Sequence, residues 1–147
     1  MAEQQEFSIN LHNTQGYQFM IDFGEFGQLL TDEPAPLGEG QGPNPARLLI
    51  ASVANCLCAS LLFSIQKYHQ HAGDISAKVT GTIERVEKRW RVTKILVAVT
   101  LGNDPDNIEH FDRIINQFED FCVVTQSVRY GIDVTVDIFN NQGELIS

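Results

Sequence analysis

A chain of 147 residues is long enough for one domain with a substantial core, and a single domain over residues 1–147 is the expectation. Its formal charge of −9 and sequence pI near 4.7 argue against a sequence-independent grip on nucleic acid and against bulk binding to an anionic membrane, which both need basic surfaces. Three cysteines without disulfide-scaffold spacing fit a reducing, cytoplasmic setting, and "MAEQQEF" has neither the basic nor the apolar region of a secretory signal.

Phe7, Ile9 and Leu11 alternate with polar neighbours, and Tyr17, Phe19, Ile21 and Phe23 do so again. The intervening "HNTQG" has turn chemistry, so this segment predicts a β-hairpin. "GQLLTDEP" offers a short third strand, followed by the Gly- and Pro-dense loop "APLGEGQGPNP". The loop ends in Asn44-Pro45, a capping residue followed by proline at the first helical position. From there "LLIASVANCLCASLLFSI" carries a helix to about Tyr68, where "HQHAGD" breaks it.

Ile75, Ala77, Val79, Gly81 and Ile83 alternate next, then the charged "ERVEKR", then Trp90 and Val92, then Ile95, Val97, Val99 and Leu101. The change of parity between Val92 and Ile95 predicts a bulge in a long hairpin, with Trp90 packed. After the turn "GNDPDN", the positions Ile108, Phe111, Ile114, Ile115 and Phe118 fall at helical spacing. "DFCVVTQSV" predicts a short third helix with Cys122 near its start, and Ile132, Val134, Val136 and Ile138 alternate as a last strand. The order βββ-α-ββ-α-α-β is that of an α+β domain with antiparallel hairpins.

The long helix is the anomaly in an acidic chain. Its 18 most apolar residues are short of the roughly 20 that a bilayer asks for, and no basic cluster flanks them, so a membrane span is disfavoured. A helix apolar nearly all round is otherwise buried on all sides. A subunit of this size would struggle to surround it, which points to a dimer with a shared core.

Cys56 and Cys58 stand about 160° apart around that helix, so they do not act together, and a zinc chelate is disfavoured. Cys56 shares its face with Ser52, Ala59 and Ser60, small groups that admit a ligand or another backbone; it is open to either a packing or a chemical role. Cys58 shares its face with Ala54, Leu61, Leu62 and Ile65, a packing stripe. Cys122 falls at a helix start, where amide groups and the helix dipole lower a thiol's pKa. Cys56 and Cys122 would suit an attacking and resolving pair, though spacing does not establish that they meet. His69 and His71 close the long helix, where a cation complements the carboxyl end, and the cluster "RVEKRWR" reads as a solvated turn.

"LLTDEPAPLGEGQGPNPARLLIASVANC" resembles the signature region of the OsmC/Ohr family, in which a Gly-rich loop and a Gly-Pro-x-Pro precede a Leu- and Ala-rich helix carrying a cysteine. "FCVVTQSVRYGIDVTV" resembles that family's second motif, a cysteine opening a short helix before the final strand. The similarity runs roughly from Tyr17 to Ile138. It implies an OsmC-like intertwined homodimer, with central helices sandwiched between two sheets and active sites at the subunit interface. It further implies that Cys56 attacks a hydroperoxide as the peroxidatic thiol, that Cys122 resolves the sulfenic acid as a disulfide, and that an external dithiol reduces it. Cys58 has no role under the resemblance, and no metal or organic cofactor is implied.

The chain departs from that pattern where the thiol is activated. Peroxidase members use an arginine from the amino-terminal part and a glutamate at the helix start; here no arginine precedes Arg47, and the glutamate position is Ala46. Arg47 is the candidate activator, with Glu39 as a candidate to hold it. Nine residues of regular helix, however, set Arg47 about 180° around and roughly 13.5 Å from Cys56. Val123 stands where many relatives have proline, and Arg129 lies two turns after Cys122, a position suited to a surface or dimer rim. The expected function is thiol-dependent reduction of organic hydroperoxides. The alternatives are a non-catalytic dimer that binds an apolar small molecule in the same cleft, and a thiol redox sensor.

Overall fold

Antiparallel hairpins before and after one long helix give the chain its α+β architecture. A computed structural model describes residues 3–132 and 134–147. They fall into two units, one formed by residues 1–54 and 77–99 and the other by residues 55–76 and 100–147.

In the first unit, β1 (Asn10–Gln15), β2 (Gln18–Asp22) and β3 (Gln28–Thr31) form an antiparallel sheet in the order β1-β2-β3. The first turn is not "HNTQG" as a whole. The strand continues through Gln15, which pairs with Gln18, and the chain reverses at Gly16 and Tyr17 with Gly16 at φ 51°. Asn13 makes this possible, because its side-chain amide donates to the carbonyls of Gly16 (3.0 Å) and Gln18 (2.7 Å) and closes the turn from within the strand.

The loop from residue 32 to residue 44 is organised around one carboxylate. Asp32 is buried, and it accepts the amides of Glu33 at Oδ1 (2.7 Å) and of Gln41 (3.0 Å) and Glu39 (3.2 Å) at Oδ2. The Gln41 amide, against the opposing effect of burial and with help from Glu33, Glu39 and the Gln18 side chain, holds the carboxyl below its ordinary value. Gly38 closes over this group, and a side chain there would strike the Glu33 carbonyl and the Asp32 carboxylate.

The helix α1 (Pro45–Lys67) begins as its sequence requires, with the Arg47 amide donating to Asn44 Oδ1 at 3.1 Å and Pro45 in the first turn. Ile50 packs over Gly81 of β4 (Ile75–Val86), where a Cβ would stand 3.1 Å from the Ile50 side chain. The two-residue turn Glu87-Lys88, both left-handed at φ 51° and 70°, joins β4 to β5 (Arg89–Leu101). This is the geometry that matches strand twist in a tight hairpin. Along β5 the better-covered positions are Val92, then Ile95, Val97, Val99 and Leu101, so the parity change in the sequence is present in the burial. Trp90 is not packed: it is 65 % exposed, and the Arg85 guanidinium lies 5.2 Å from its ring centre.

In the second unit the carboxyl half of α1 meets two short helices, α2 (Phe111–Gln117) and α3 (Val123–Tyr130), separated by a 3-10 turn (Phe118–Phe121). Ile65, Ile108, Ile114, Leu61, Ala72 and Cys122 form its buried core. Phe63 meets Phe121 edge-on at 5.5 Å, and the Asn103 side chain donates to the His71 carbonyl at 2.9 Å, tying the chain after α1 to the start of the next segment. Among the described residues, the expected last strand is not in a ladder. Ile132, Val134, Val136 and Ile138 are exposed by half or more, Asp133 lies outside the described residues, and the pairing that follows is an isolated bridge between Phe139 and Leu145.

Two stability changes follow from the Asp32 loop. Gly38→Ala should lower the urea midpoint by an equivalent of about 1–3 kcal/mol with no change in slope, since the methyl has nowhere to go. The folded pKa of Asp32 is depressed below 3.8, so its contribution is fully present above that value and is lost as pH falls through the folded one. Asp32→Asn should therefore lower stability at pH 7 and flatten the fall in stability below pH 4 seen in acid titrations followed by circular dichroism.

Candidate thiol site

Helical period puts Cys56, Ala59, Ser60 and Phe63 on one side of the carboxyl half of α1, and Asn55, Cys58, Ala59 and Leu62 on another. The first set borders a cavity of about 390 Å³, closed on a further side by Phe121. The second borders a separate cavity of about 420 Å³ with Gly73, Asp74 and Ile75. Cys58 therefore faces open space beside Leu62, whereas its stripe-mates Ala54, Leu61 and Ile65 are buried as a packing stripe should be.

Cys122 does not line the first cavity. It is the residue that caps α3, with extended backbone (φ −86°, ψ 96°), and it is 0 % exposed. A sulfur takes this place because the first amides of a helix need acceptors. The Thr125 amide donates to the Cys122 sulfur at 3.4 Å, and Cys122 Sγ lies 2.8 Å from Thr125 Oγ1. With the thiol protonated, Sγ–H donates across that contact; on ionisation the hydroxyl turns and donates to sulfur. Ser60 and Thr125 are themselves buried.

Cys56 and Cys122 are close enough that each changes the other's proton affinity. Burial pushes the Cys56 thiol above its ordinary 9.0, and hydrogen bonding with Cys122 adds to this, while the amides of Val124 and Val123 work in the opposite direction. Burial would also raise Cys122, but hydrogen bonds from Cys56, from the Thr125 hydroxyl and amide and from Ser60 outweigh it and hold this thiol below 9.0. Burial alone raises Cys58.

Of the three residues singled out from the sequence, Cys56 and Cys122 are thus brought together. Arg47 lies at the amino end of α1, where its guanidinium donates to Asn44 Oδ1 at 3.2 Å, and Glu39 does not hold it. Arg129 pairs with Glu119 on the surface, the one salt bridge among the described residues. Ser60 and Thr125 were not singled out for the thiols, although both carried a signal: Ser60 is one turn from Cys56, and Thr125 sits three after a capping residue, where its amide must find an acceptor. No group of three or more His, Cys, Asp or Glu side chains suited to a metal ion occurs among the described residues.

Residues 38–137 match the family described as OsmC-like protein. No curated relative matches the sequence significantly. Solved structures share the fold. An osmotic-stress-induced and detoxification-response protein from Psychrobacter arcticus 273-4 is 19 % identical with a TM-score of 0.71, over 86 % of this chain and 91 % of that one. An OsmC-like protein of unknown function from Vibrio cholerae O1 is 14 % identical with a TM-score of 0.70, over 84 % and 94 %. An organic hydroperoxide resistance protein OsmC from Legionella pneumophila is 16 % identical with a TM-score of 0.67, over 90 % and 96 %.

Access should govern the order of thiol labelling. With iodoacetamide at pH 7.5, peptide mass spectrometry should find Cys56 and Cys58 modified well before Cys122, and all three modified together in guanidinium chloride.

Proposed function

The chain belongs to the OsmC-like family, and on that premise we propose that it reduces organic hydroperoxides through a Cys56–Cys122 thiol pair. One observation carries the proposal: Cys56 borders an open, largely apolar cavity, and Cys122, buried and outside its lining, is near enough to alter the proton affinity of Cys56. The alkyl group of a hydroperoxide fits against Phe63, Phe121 and Ala59, with its distal oxygen toward the Cys56 sulfur. Attack oxidises Cys56 to the sulfenic acid and releases an alcohol; Cys122 then displaces water to form the disulfide. A small dithiol, or a protein one, restores the pair by exchange. Such chemistry needs the free thiols of a reducing compartment, in keeping with a cytoplasmic enzyme.

The active form in this proposal is a homodimer. The whole of α1, at 23 residues, is long and apolar enough to cross a membrane, yet only 33 % of its most apolar 18-residue window is buried within the chain. A second copy would cover the remainder, and it would offer an edge to the exposed, alternating residues Ile132, Val134, Val136 and Ile138. The raised proton affinity of Cys56, with Ala46 at the expected glutamate position and Arg47 held by Asn44, favours a second possibility. In that case the same cavity binds an apolar small molecule and the thiols respond to oxidation without efficient turnover.

Cumene hydroperoxide consumption with dithiothreitol separates these. The enzyme should turn over repeatedly, Cys56→Ser should abolish turnover, Cys58→Ser should leave it within about twofold, and one equivalent of peroxide should give a Cys56–Cys122 disulfide in peptide maps. Intact thiols without turnover would leave the ligand-binding alternative. Val136→Asp should move the protein from dimer to monomer in sedimentation velocity; a wild-type monomer would end the dimer proposal.

A further inference from the structure

Among the described residues no cation acts on Cys56, and the ionisable group beside it is Cys122. We infer that Cys122 is the base of this site as well as its resolving thiol: it holds the negative charge of the pair and takes the Cys56 proton as Cys56 attacks. For its substrate this rests on the hydroperoxide proposal above; for the location of the charge it rests on the thiol geometry alone.

Access divides the labour. Cys56 borders the cavity, so it is the sulfur that a substrate reaches. Cys122 is 0 % exposed and does not border the cavity, so it meets only protein. Hydrogen-bond donors divide it in the same way. Cys122 takes the Thr125 amide at 3.4 Å and has the Thr125 Oγ1 at 2.8 Å, with the Ser60 hydroxyl acting on it in the same direction. What opposes burial at Cys56 is the weaker pull of the Val124 and Val123 amides. Two adjacent sulfurs in a poorly solvated site do not both ionise, so one charge is shared and settles where the donors are.

The charged groups on the surrounding elements do not compete for this role. Lys67, at the end of α1, lies over the Phe121 ring at 5.7 Å, and Arg129 on α3 pairs with Glu119 of the 3-10 turn. Asp120, beside Glu119, carries the sign that opposes a thiolate. What stabilises the charge is a set of neutral donors, with Ser60 and Thr125 as positioning residues.

The steps balance. The Cys56 thiol passes its proton to the Cys122 thiolate as its sulfur attacks the distal peroxide oxygen. An S–O bond forms, the O–O bond breaks, Cys56 loses two electrons, and the alkoxide that leaves takes the proton from Cys122. Cys122, again a thiolate, attacks the sulfenic sulfur; the S–S bond forms and hydroxide leaves, protonated by solvent.

A resolving thiol and a base differ in the first step. Sulfenic acid formation at Cys56, trapped with dimedone after one equivalent of cumene hydroperoxide, should fall about 100-fold at pH 7 in Cys122→Ala and recover as pH rises past 9. Formation at the wild-type rate would overturn the inference, since Cys122 would then only resolve. Thr125→Val and Ser60→Ala keep both thiols and guard against a variant that fails to fold. In each, the midpoint of thiolate absorbance at 240 nm and that of the first-step rate should move up together, and an unmoved midpoint in both variants would also overturn it. Iodoacetamide separates this inference from the hydroperoxide proposal. If the wild type consumes no peroxide while Cys56 alkylation slows in Cys122→Ala with the same pH recovery, the substrate proposal fails and the base stands.

Discussion

A helix with no polar face needs cover on every side, and α1 has no polar face. Its 23 residues contribute to both units, carry two of the three cysteines and begin at the Gly-rich loop, so whatever covers it also fixes the site. The chain itself covers only part. Leu49, Leu62 and Phe63 on this helix remain 38 %, 40 % and 54 % exposed. Burying side chains of this kind is worth about 1.5–3 kcal/mol each from full exposure. A few of them therefore weigh against the whole net stability of a domain, about 5–15 kcal/mol. Such a surface is a strong drive to associate, and the proposed dimer answers the same need that the sequence pattern announces.

Within that frame the groups that polarise the thiol pair, among the described residues, are neutral donors. Desolvation alone makes both thiols poor acids, so the difference between them comes from who donates to which sulfur. Helix α3 is short, but its Thr125 amide donates to the Cys122 sulfur, and the adjacent hydroxyls of Thr125 and Ser60 tip the balance to that buried sulfur. The exposed sulfur and the acidic sulfur are consequently different atoms, a separation that a single activated cysteine cannot provide.

Much of this was legible because it depends on period. Helical spacing assigns Cys56 to a small-residue face and Cys58 to another, and alternation located β2 and both strands of the second hairpin, whereas β1 runs from Asn10 to Gln15 and leaves Phe7 and Ile9 of the expected strand outside it. The errors have local causes. "HNTQG" is rich in turn formers, yet Asn13 spends its side chain closing a later, tighter turn, and composition does not reveal which of two adjacent positions wins. Ile132 to Ile138 has the pattern of a strand, but a pattern names a face and not the edge it pairs with. Trp90 looked like packing because aromatics usually are, and it lies instead against Arg85 at the hairpin end. The partner of Arg47 was equally out of reach, since Asn44 and Glu39 were both near enough in sequence to hold it.

The loop around Asp32 has a consequence for how the chain tolerates change. Glu33, Glu39 and Gln41 bind the carboxylate through their amides, and Gln41 also donates its side-chain amide to the Glu39 carbonyl at 3.2 Å, so only the side chains of Glu33 and Glu39 are spectators to the shape of the loop. In a library that randomised this segment, those two positions would accept nearly every residue and reject proline, which has no N–H to give. The constraint falls instead on one acid and three glycines: Gly38 leaves room for the carboxylate, Gly42 would strike the Leu30 carbonyl with any side chain, and Gly40 holds a left-handed φ of 67°. These positions would thus carry the selective memory of a segment whose exposed letters drift, and the approach to α1 would keep its path while much of its surface chemistry was free to be rewritten.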